Sequence, residues 1–240
     1  ESCVDATNAS TNGLCPPGHY CPVGSGAPTR CPIGTFTASS GLSNVTECKD
    51  CTAGYICDKE AITEATTLCP ERFYCPTGTA SATLLCTTGH YCEAKSTSPV
   101  ACAAGTYQNE TGQSTCKVCP AGFFCDGEGT TDPLECPNGY YCPNGTSTAT
   151  QYPCANGTFN SRTMLMDASE CQPCLPGMFC DRQGLVQPTG ECDAGYYCGR
   201  GSATATPDRD NAYGGESCVD ATNASTNGLC PPGHYCPVGS

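Results

Sequence analysis

Residues 102–125 read CAAGTYQNETGQSTCKVCPAGFFC, and they hold both of the cysteine patterns from which the rest of the chain is built. The first is C-x-x-G-T-[FY], here Cys102–Tyr107, which recurs at Cys31–Phe36 and Cys154–Phe159. Each copy is followed, after a short loop, by a C-x-x-C pair: Cys48/Cys51, Cys116/Cys119 and Cys171/Cys174. The second pattern is C-x5-C with an aromatic ahead of the closing cysteine, here CPAGFFC at 119–125. It recurs at 15–21, 51–57, 69–75, 86–92, 136–142, 174–180 and 192–198. Gly stands three residues after the opening cysteine in every copy but one, where Arg72 replaces it. Pro ahead of such a glycine is turn chemistry, because Pro fixes φ and Gly accepts φ > 0. The aromatic can then lie over the neighbouring bridge as a miniature core.

Outward from this stretch the composition stays the same. There are 26 cysteines in 240 residues, above the fraction that marks a disulfide scaffold. A reducing cytosol does not maintain that many bridges, so the expected location is extracellular or cell-surface, reached by secretion. Core formers are scarce: Trp is absent and Phe occurs six times, so covalent bridges are expected to replace burial as the source of stability. The 28 Gly and 20 Pro are spread along the chain, and no helical periodicity is sustained over three turns. The predicted fold class is therefore small and disulfide-rich. It consists of short β-hairpins and turns with little or no helix, strung as an elongated rod of cysteine-rich modules. A net charge of −13 argues against binding nucleic-acid phosphates, which requires clustered Lys and Arg. No apolar run approaches the ~18 residues of a membrane-spanning helix. The chain opens Glu1-Ser2-Cys3 with no Met, basic region or apolar stretch, so any signal peptide is expected to lie outside it.

Two levels of repeat are present. Residues 1–25 return unchanged as residues 216–240, and the identity includes loop positions that no turn or bridge dictates. Tandem 215-residue units are the expected context. Within the unit, the cysteine patterns divide the chain into modules that each touch only their neighbours. Residues 1–30 read as the second half of a degenerate junction module, and 31–101 as a module with an extra C-x5-C element. Residues 102–153 and 154–205 read as two further modules, and 206–240 as a linker with the start of the next unit. At the junction, aligning Cys218 with Cys57 puts Ala212 where Cys51 stands.

The stretch 102–125 resembles the ephrin-receptor-like cysteine-rich repeat family, which is similar in style to EGF-like and tumour-necrosis-factor-receptor-like modules. The resemblance implies small β-hairpins and an extracellular location. It implies no activity, since such modules serve as spacers and adhesion surfaces on many unrelated proteins.

Connectivity does not follow uniquely from sequence. The preferred scheme closes each G-T-[FY] loop with its own bridge, Cys31–Cys48, Cys102–Cys116 and Cys154–Cys171. It then pairs the next four cysteines crosswise: Cys51–Cys69 with Cys57–Cys75, Cys119–Cys136 with Cys125–Cys142, and Cys174–Cys192 with Cys180–Cys198. A sequential alternative pairs Cys75–Cys86, Cys92–Cys102 and Cys142–Cys154. One 215-residue unit holds 23 cysteines, an odd number. The unpaired one is Cys15 with its copy Cys230 under the crosswise scheme, and Cys198 under the sequential one.

Six N-x-[ST] sequons, at Asn8, Asn44, Asn109, Asn144, Asn156 and Asn223, are candidate N-glycan sites. The stretches Thr146–Thr150 and Ser202–Thr206 are candidate O-glycan carriers, although short polar linkers explain them equally well. No other cofactor is expected. The three C-x-x-C pairs stand too far apart along the chain for a zinc site built on two of them, and they read as half-cystines. His19, His90 and His234 fill the slot of Phe123, Tyr140 and Tyr196 in sister motifs and read as packing variants, with no nucleophile arranged about them. Asp208, Asp210 and Asn211 have the donors for Ca²⁺ but no twelve-residue loop, so a solvated acidic linker is the plainer reading.

The functional expectation is a structural subunit of an extracellular, glycosylated fibre or filament, associating along its axis with identical units. No catalytic or metal residues, nucleic-acid partner or membrane segment are expected. The alternative is a cysteine-rich surface antigen or receptor ectodomain acting as a binding or adhesion module.

Overall fold

The structure, a computed structural model, describes residues 13–207 and the strand residues 228–229. The chain falls into two compact units, one of Glu1–Cys102 with Gln108–Lys117 and the other of Ala103–Tyr107 with Val118–Ser240.

Each unit is built from one seven-residue segment, repeated. In its simplest form a cysteine opens a tight turn, glycine occupies the left-handed position three residues on, and two residues then run as a short strand. At Cys15 the turn closes with the His19 amide donating to the Pro16 carbonyl at 3.2 Å, and Gly18 sits at φ 78°. That is the third residue of the turn, where φ > 0 favours glycine. We call each such segment a rung.

The strand of a rung pairs with the two residues that precede the next rung. In the first unit His19–Tyr20 pairs antiparallel with Thr29–Arg30, Thr35–Phe36 with Lys49–Asp50, Tyr55–Ile56 with Thr67–Leu68, and His90–Tyr91 with Val100–Ala101. In the second unit Phe123–Phe124 pairs with Leu134–Glu135, Thr158–Phe159 with Gln172–Pro173, and Met178–Phe179 with Gly190–Glu191. Single bridges Phe73↔Leu85 and Tyr140↔Pro153 take the place of two-residue strands. The register is constant, the residue four after a rung's cysteine facing the residue just before the next rung's cysteine. The expected fold of short hairpins is thereby met, and no α-helix occurs among the described residues. Two short 3-10 turns, Val45–Glu47 and Ala168–Glu170, are the only helical pieces among them.

Successive rungs are joined by backbone hydrogen bonds of one repeating kind. In the first unit the amides of Gly18, Gly34, Gly54, Arg72 and Gly89 donate to the carbonyls of Thr37, Cys57, Cys75, Cys92 and Gln108. In the second, Gly105, Gly122, Gly139, Gly157 and Gly177 donate to Cys125, Cys142, Asn160, Cys180 and Cys198. With two-residue strands, this ladder is what satisfies the main chain, as buried backbone groups require.

The hydrophobic core is correspondingly divided. Cys31, Leu42 and Cys48 cluster under Tyr20, and Ile56, Cys69 and Cys75 under Phe73. Cys154, Leu165 and Cys171 cluster under Tyr141, while Phe159, Cys174, Cys180 and Leu185 pack with Met178. Every cluster holds two cysteines; in three of them an aromatic covers the sulfur, while in the fourth Phe159 is itself buried and Met178 packs against it.

The bridges correct the crosswise expectation. Bridges Cys31–Cys48, Cys102–Cys116 and Cys154–Cys171 close the three G-T-[FY] loops. The remaining cysteines pair within their own rungs. Cys51 bonds Cys57 and Cys69 bonds Cys75, in place of Cys51–Cys69 and Cys57–Cys75. Cys119–Cys125 and Cys136–Cys142 replace Cys119–Cys136 and Cys125–Cys142. Cys174–Cys180 and Cys192–Cys198 replace Cys174–Cys192 and Cys180–Cys198. Cys86–Cys92 likewise excludes the sequential pairs Cys75–Cys86 and Cys92–Cys102, and Cys136–Cys142 with Cys154–Cys171 excludes Cys142–Cys154. The reason is the glycine turn, which reverses the chain inside the rung and brings Cys51 and Cys57 to a Cα separation of 5.8 Å. That lies within the range a disulfide spans. Cys15 is not unpaired, since it bonds Cys21. Cys230 lies outside the described residues. The eleven bridges take every cysteine of residues 1–215 except Cys3, which also lies outside them.

Candidate functional site

The two cysteine patterns are one. Cys31–Thr37, Cys102–Gln108 and Cys154–Asn160 occupy the same places as the C-x5-C rungs, with Thr37, Gln108 and Asn160 where the second cysteine stands elsewhere. All three are fully buried. Each meets the demand that a buried polar group be hydrogen-bonded. Asn160 donates from Nδ2 to the Arg162 carbonyl at 2.6 Å and accepts from the Arg162 amide at 2.9 Å. Gln108 donates to the Thr115 carbonyl at 2.8 Å and accepts from the Glu110 amide. Thr37 accepts from the Ser39 amide at 3.2 Å. With no sulfur inside the rung, the opening cysteine turns to the following loop and bonds Cys48, Cys116 or Cys171. Cysteine spacing alone leaves these polar residues unremarked. Aligning the two patterns on C-x-x-G and asking what stands at the seventh place would have found them.

Arg72, the one departure from glycine, sits at φ 77°. At the equivalent Gly54 an added Cβ would meet the Lys95 carbonyl oxygen at 2.7 Å. Arg72 answers the corresponding carbonyl, that of Gly112, by donating to it from Nε at 2.6 Å.

The sequons lie on the outside of this ladder. Asn44, Asn109, Asn144 and Asn156 are exposed, whereas Asn8 and Asn223 lie outside the described residues. Three of them are oriented through Oδ1. Asn44 caps the 3-10 turn Val45–Glu47, accepting from the Thr46 amide at 3.1 Å. Asn109 accepts from Lys117 Nζ at 2.8 Å, and that ammonium also reaches Glu110 at 3.0 Å. Asn144 accepts from the Ala121 amide at 2.8 Å, a bond from rung 119–125 to the segment that follows the next rung. With Oδ1 engaged, Nδ2 is the remaining amide group, and it is the atom that carries an N-linked sugar.

The O-glycan candidates divide. Thr146 and Ser202 are buried, their hydroxyls donating to the Pro143 and Thr204 carbonyls, so these two belong to the fold. Ser25, Thr79 and Ser96 make the same bond as Thr146, four residues after a rung's last cysteine.

Every cysteine of the C-x-x-C pairs is committed to a disulfide, Cys48 and Cys51 to different partners and likewise Cys116/Cys119 and Cys171/Cys174. His19 and His90 lie on rung strands, half-buried, with Nδ1 against the Pro17 carbonyl at 3.0 Å and the Thr88 carbonyl at 2.9 Å. These are contacts to their own turns. His234, Asp208, Asp210 and Asn211 lie outside the described residues. No helix among the described residues is long and apolar enough to cross a membrane.

Compared with known proteins, residues 89–136 match the family model described as tyrosine-protein kinase ephrin type A/B receptor-like. The matched stretch begins at the turn glycine of one rung and ends at the opening cysteine three rungs on. It includes the stretch 102–125 that carries the resemblance in the sequence. No curated protein matches the chain.

Proposed function

We propose that the chain is a structural subunit of an extracellular, glycosylated fibre built from tandem 215-residue units, and that it performs no catalysis. The observation that carries this reading is the unchanged return of residues 1–25 as 216–240. The fold supports it in a specific way. The main-chain bonds that join rungs run from each turn to the end of the next rung, and there is no large core to close, so nothing in that bonding limits the number of rungs. Units touching only their neighbours propagate as an open array unless their rotation closes a ring. The density of bridges and the receptor-like repeat at 89–136 support a secreted or cell-surface location. In this reading sugars on Asn8, Asn44, Asn109, Asn144, Asn156 and Asn223 coat the shaft and keep arrays from fusing, and no metal or other cofactor takes part.

Electron microscopy of the native protein from its source, with intact glycopeptide mass spectrometry on the same sample, tests the reading. Filaments of one axial repeat, stable in denaturant, softened by a reducing agent and carrying glycans at most sequons, are expected. Single particles recovered only with a lipid or membrane anchor would overturn it in favour of a surface antigen or receptor ectodomain.

A further inference from the structure

The last described hairpin is unlike the others in what it skips. Its strand Tyr196–Tyr197 pairs with Gly228–Leu229, with Tyr196 facing Leu229 and Tyr197 facing Gly228. The first hairpin pairs His19 with Arg30 and Tyr20 with Thr29. The register is the same in both, since Arg30 precedes Cys31 as Leu229 precedes Cys230. By sequence order, however, the next rung-like segment after Cys198 is Ala212-Tyr-Gly-Gly-Glu-Ser-Cys218. It keeps the glycine but has Ala at the cysteine place and Glu216-Ser217 in the aromatic slot. The strand passes over that segment and takes as its partner the residues before Cys230, the first intact rung of the next unit.

Gly228–Leu229 and Gly13–Leu14 are the same residues one period apart. The later copy is paired, whereas Gly13 and Leu14 belong to no described strand. Leu14 is 73% exposed, and an added Cβ at Gly13 would meet nothing within 4 Å. An edge whose identical copy is already a strand is a template for the same pairing.

We infer that successive 215-residue units are joined by a hairpin between Tyr196–Tyr197 of one unit and Gly13–Leu14 of the next, made with the register used inside the units. The occupant of the Gly13–Leu14 edge is thus the preceding unit of the same tandem array. The joint is an ordinary rung-to-rung step. The inference rests on the array reading for its occupant, while the register of the joint stands on the Tyr196–Leu229 pairing alone.

Site-specific photocrosslinking tests it, with a benzophenone amino acid introduced in turn for Leu68 and Leu229, each in the full-length protein; in an array Leu229 counted from one unit is Leu14 of the next, so the second probe reads the joint itself. Crosslinked peptides are then mapped after reduction and tryptic digestion. The Leu68 probe should mark peptide 50–59, which contains its strand partner Tyr55 and validates the method. The Leu229 probe should mark peptide 183–200, which contains Tyr196–Tyr197. A Leu229 adduct that maps to residues 201–227, with the Leu68 control intact, overturns the joint even where filaments are seen. Adducts at 183–200 in a native protein that forms no array of units overturn the occupant and the fibre reading together and leave the hairpin as a local fold.

Discussion

Rungs Cys31–Thr37 and Cys51–Cys57 are consecutive, and they make the same backbone bonds. Gly34 donates to Cys57 as Gly54 donates to Cys75, and each rung's strand pairs in the same register with the residues before the next cysteine. They differ in where the opening cysteine sends its sulfur. Cys51 bonds the end of its own turn, six residues on, whereas Cys31 reaches seventeen residues to Cys48 because Thr37 stands where a cysteine would be. The difference teaches that the repeating unit is the glycine turn with its ladder of main-chain bonds. The disulfide is a staple placed in one of two ways on a constant frame. The polar-ended rung needs two things in compensation, a buried hydrogen-bonded side chain and a folded loop to present the distant cysteine.

The largest expected effect separates the two kinds of staple. A bridge acts mainly on the unfolded chain, more strongly for a longer loop. Replacing Cys154 and Cys171 together by Ser, a span of 17 residues, should cost ~3 kcal/mol, against ~2 kcal/mol for Cys136 and Cys142, a span of six. Denaturant midpoints of the two double variants, measured without reductant, give the comparison. Equal losses would remove the distinction between the two classes.

Next in size is the polar end of the rung. Asn160→Ala leaves the Arg162 amide and carbonyl without the partners they have inside the rung, which should cost about 1–3 kcal/mol. The same substitution at exposed Asn156 should change stability by less than about 0.5 kcal/mol. Thermal melting of both variants sharpens the contrast between an asparagine that ends a rung and one that stands exposed in a sequon. A neutral Asn160→Ala would mean that the seventh position needs no hydrogen-bonding residue.

The smallest effect compares the two long loops. Asn44 and Asp167 occupy the same place, each capping a 3-10 turn seven residues after the polar end of its rung. The amide of Ser169, and its hydroxyl, hold the Asp167 carboxyl below the usual carboxylate value. A depressed folded value means that this contribution is present above the unfolded value near pH 4 and is lost as pH falls through the lowered folded one. Amide exchange at Ser169 should therefore rise in acid below about pH 4 relative to Thr46, whose Asn44 cap does not titrate. Asp167→Asn should abolish that difference.

Much of this was legible in the residues. Pro-x-Gly after cysteine announces the turn, and each G-T-[FY] loop announces a bridge to the first cysteine of the C-x-x-C pair that follows it. The crosswise scheme failed because it treated each C-x5-C as two separate cysteines. A glycine at φ > 0 between them instead closes the ring locally, and the pattern contains that glycine. The ladder was less legible, because it is made by main-chain atoms at positions such as Leu42, Ile62 and Thr79, whose side chains differ from one another. Arg72 was visible as an exception, but its means of tolerating φ 77° depends on the Gly112 carbonyl, far along the chain. At the sequons the sequence named the asparagines, and the structure adds that Asn44, Asn109 and Asn144 are held through Oδ1.

The central claim, that the rung is a locally closed ring on a common ladder, is tested most directly by mapping the disulfides of the unreduced native protein. Trypsin cuts after Lys49 and Lys59 and so isolates peptide 50–59, DCTAGYICDK, which holds Cys51 and Cys57 and no other cysteine. The rung predicts that this peptide is released alone and gains two hydrogens on reduction. If it instead leaves joined to peptides carrying Cys69 and Cys75, the bridges run between rungs and the account is contradicted.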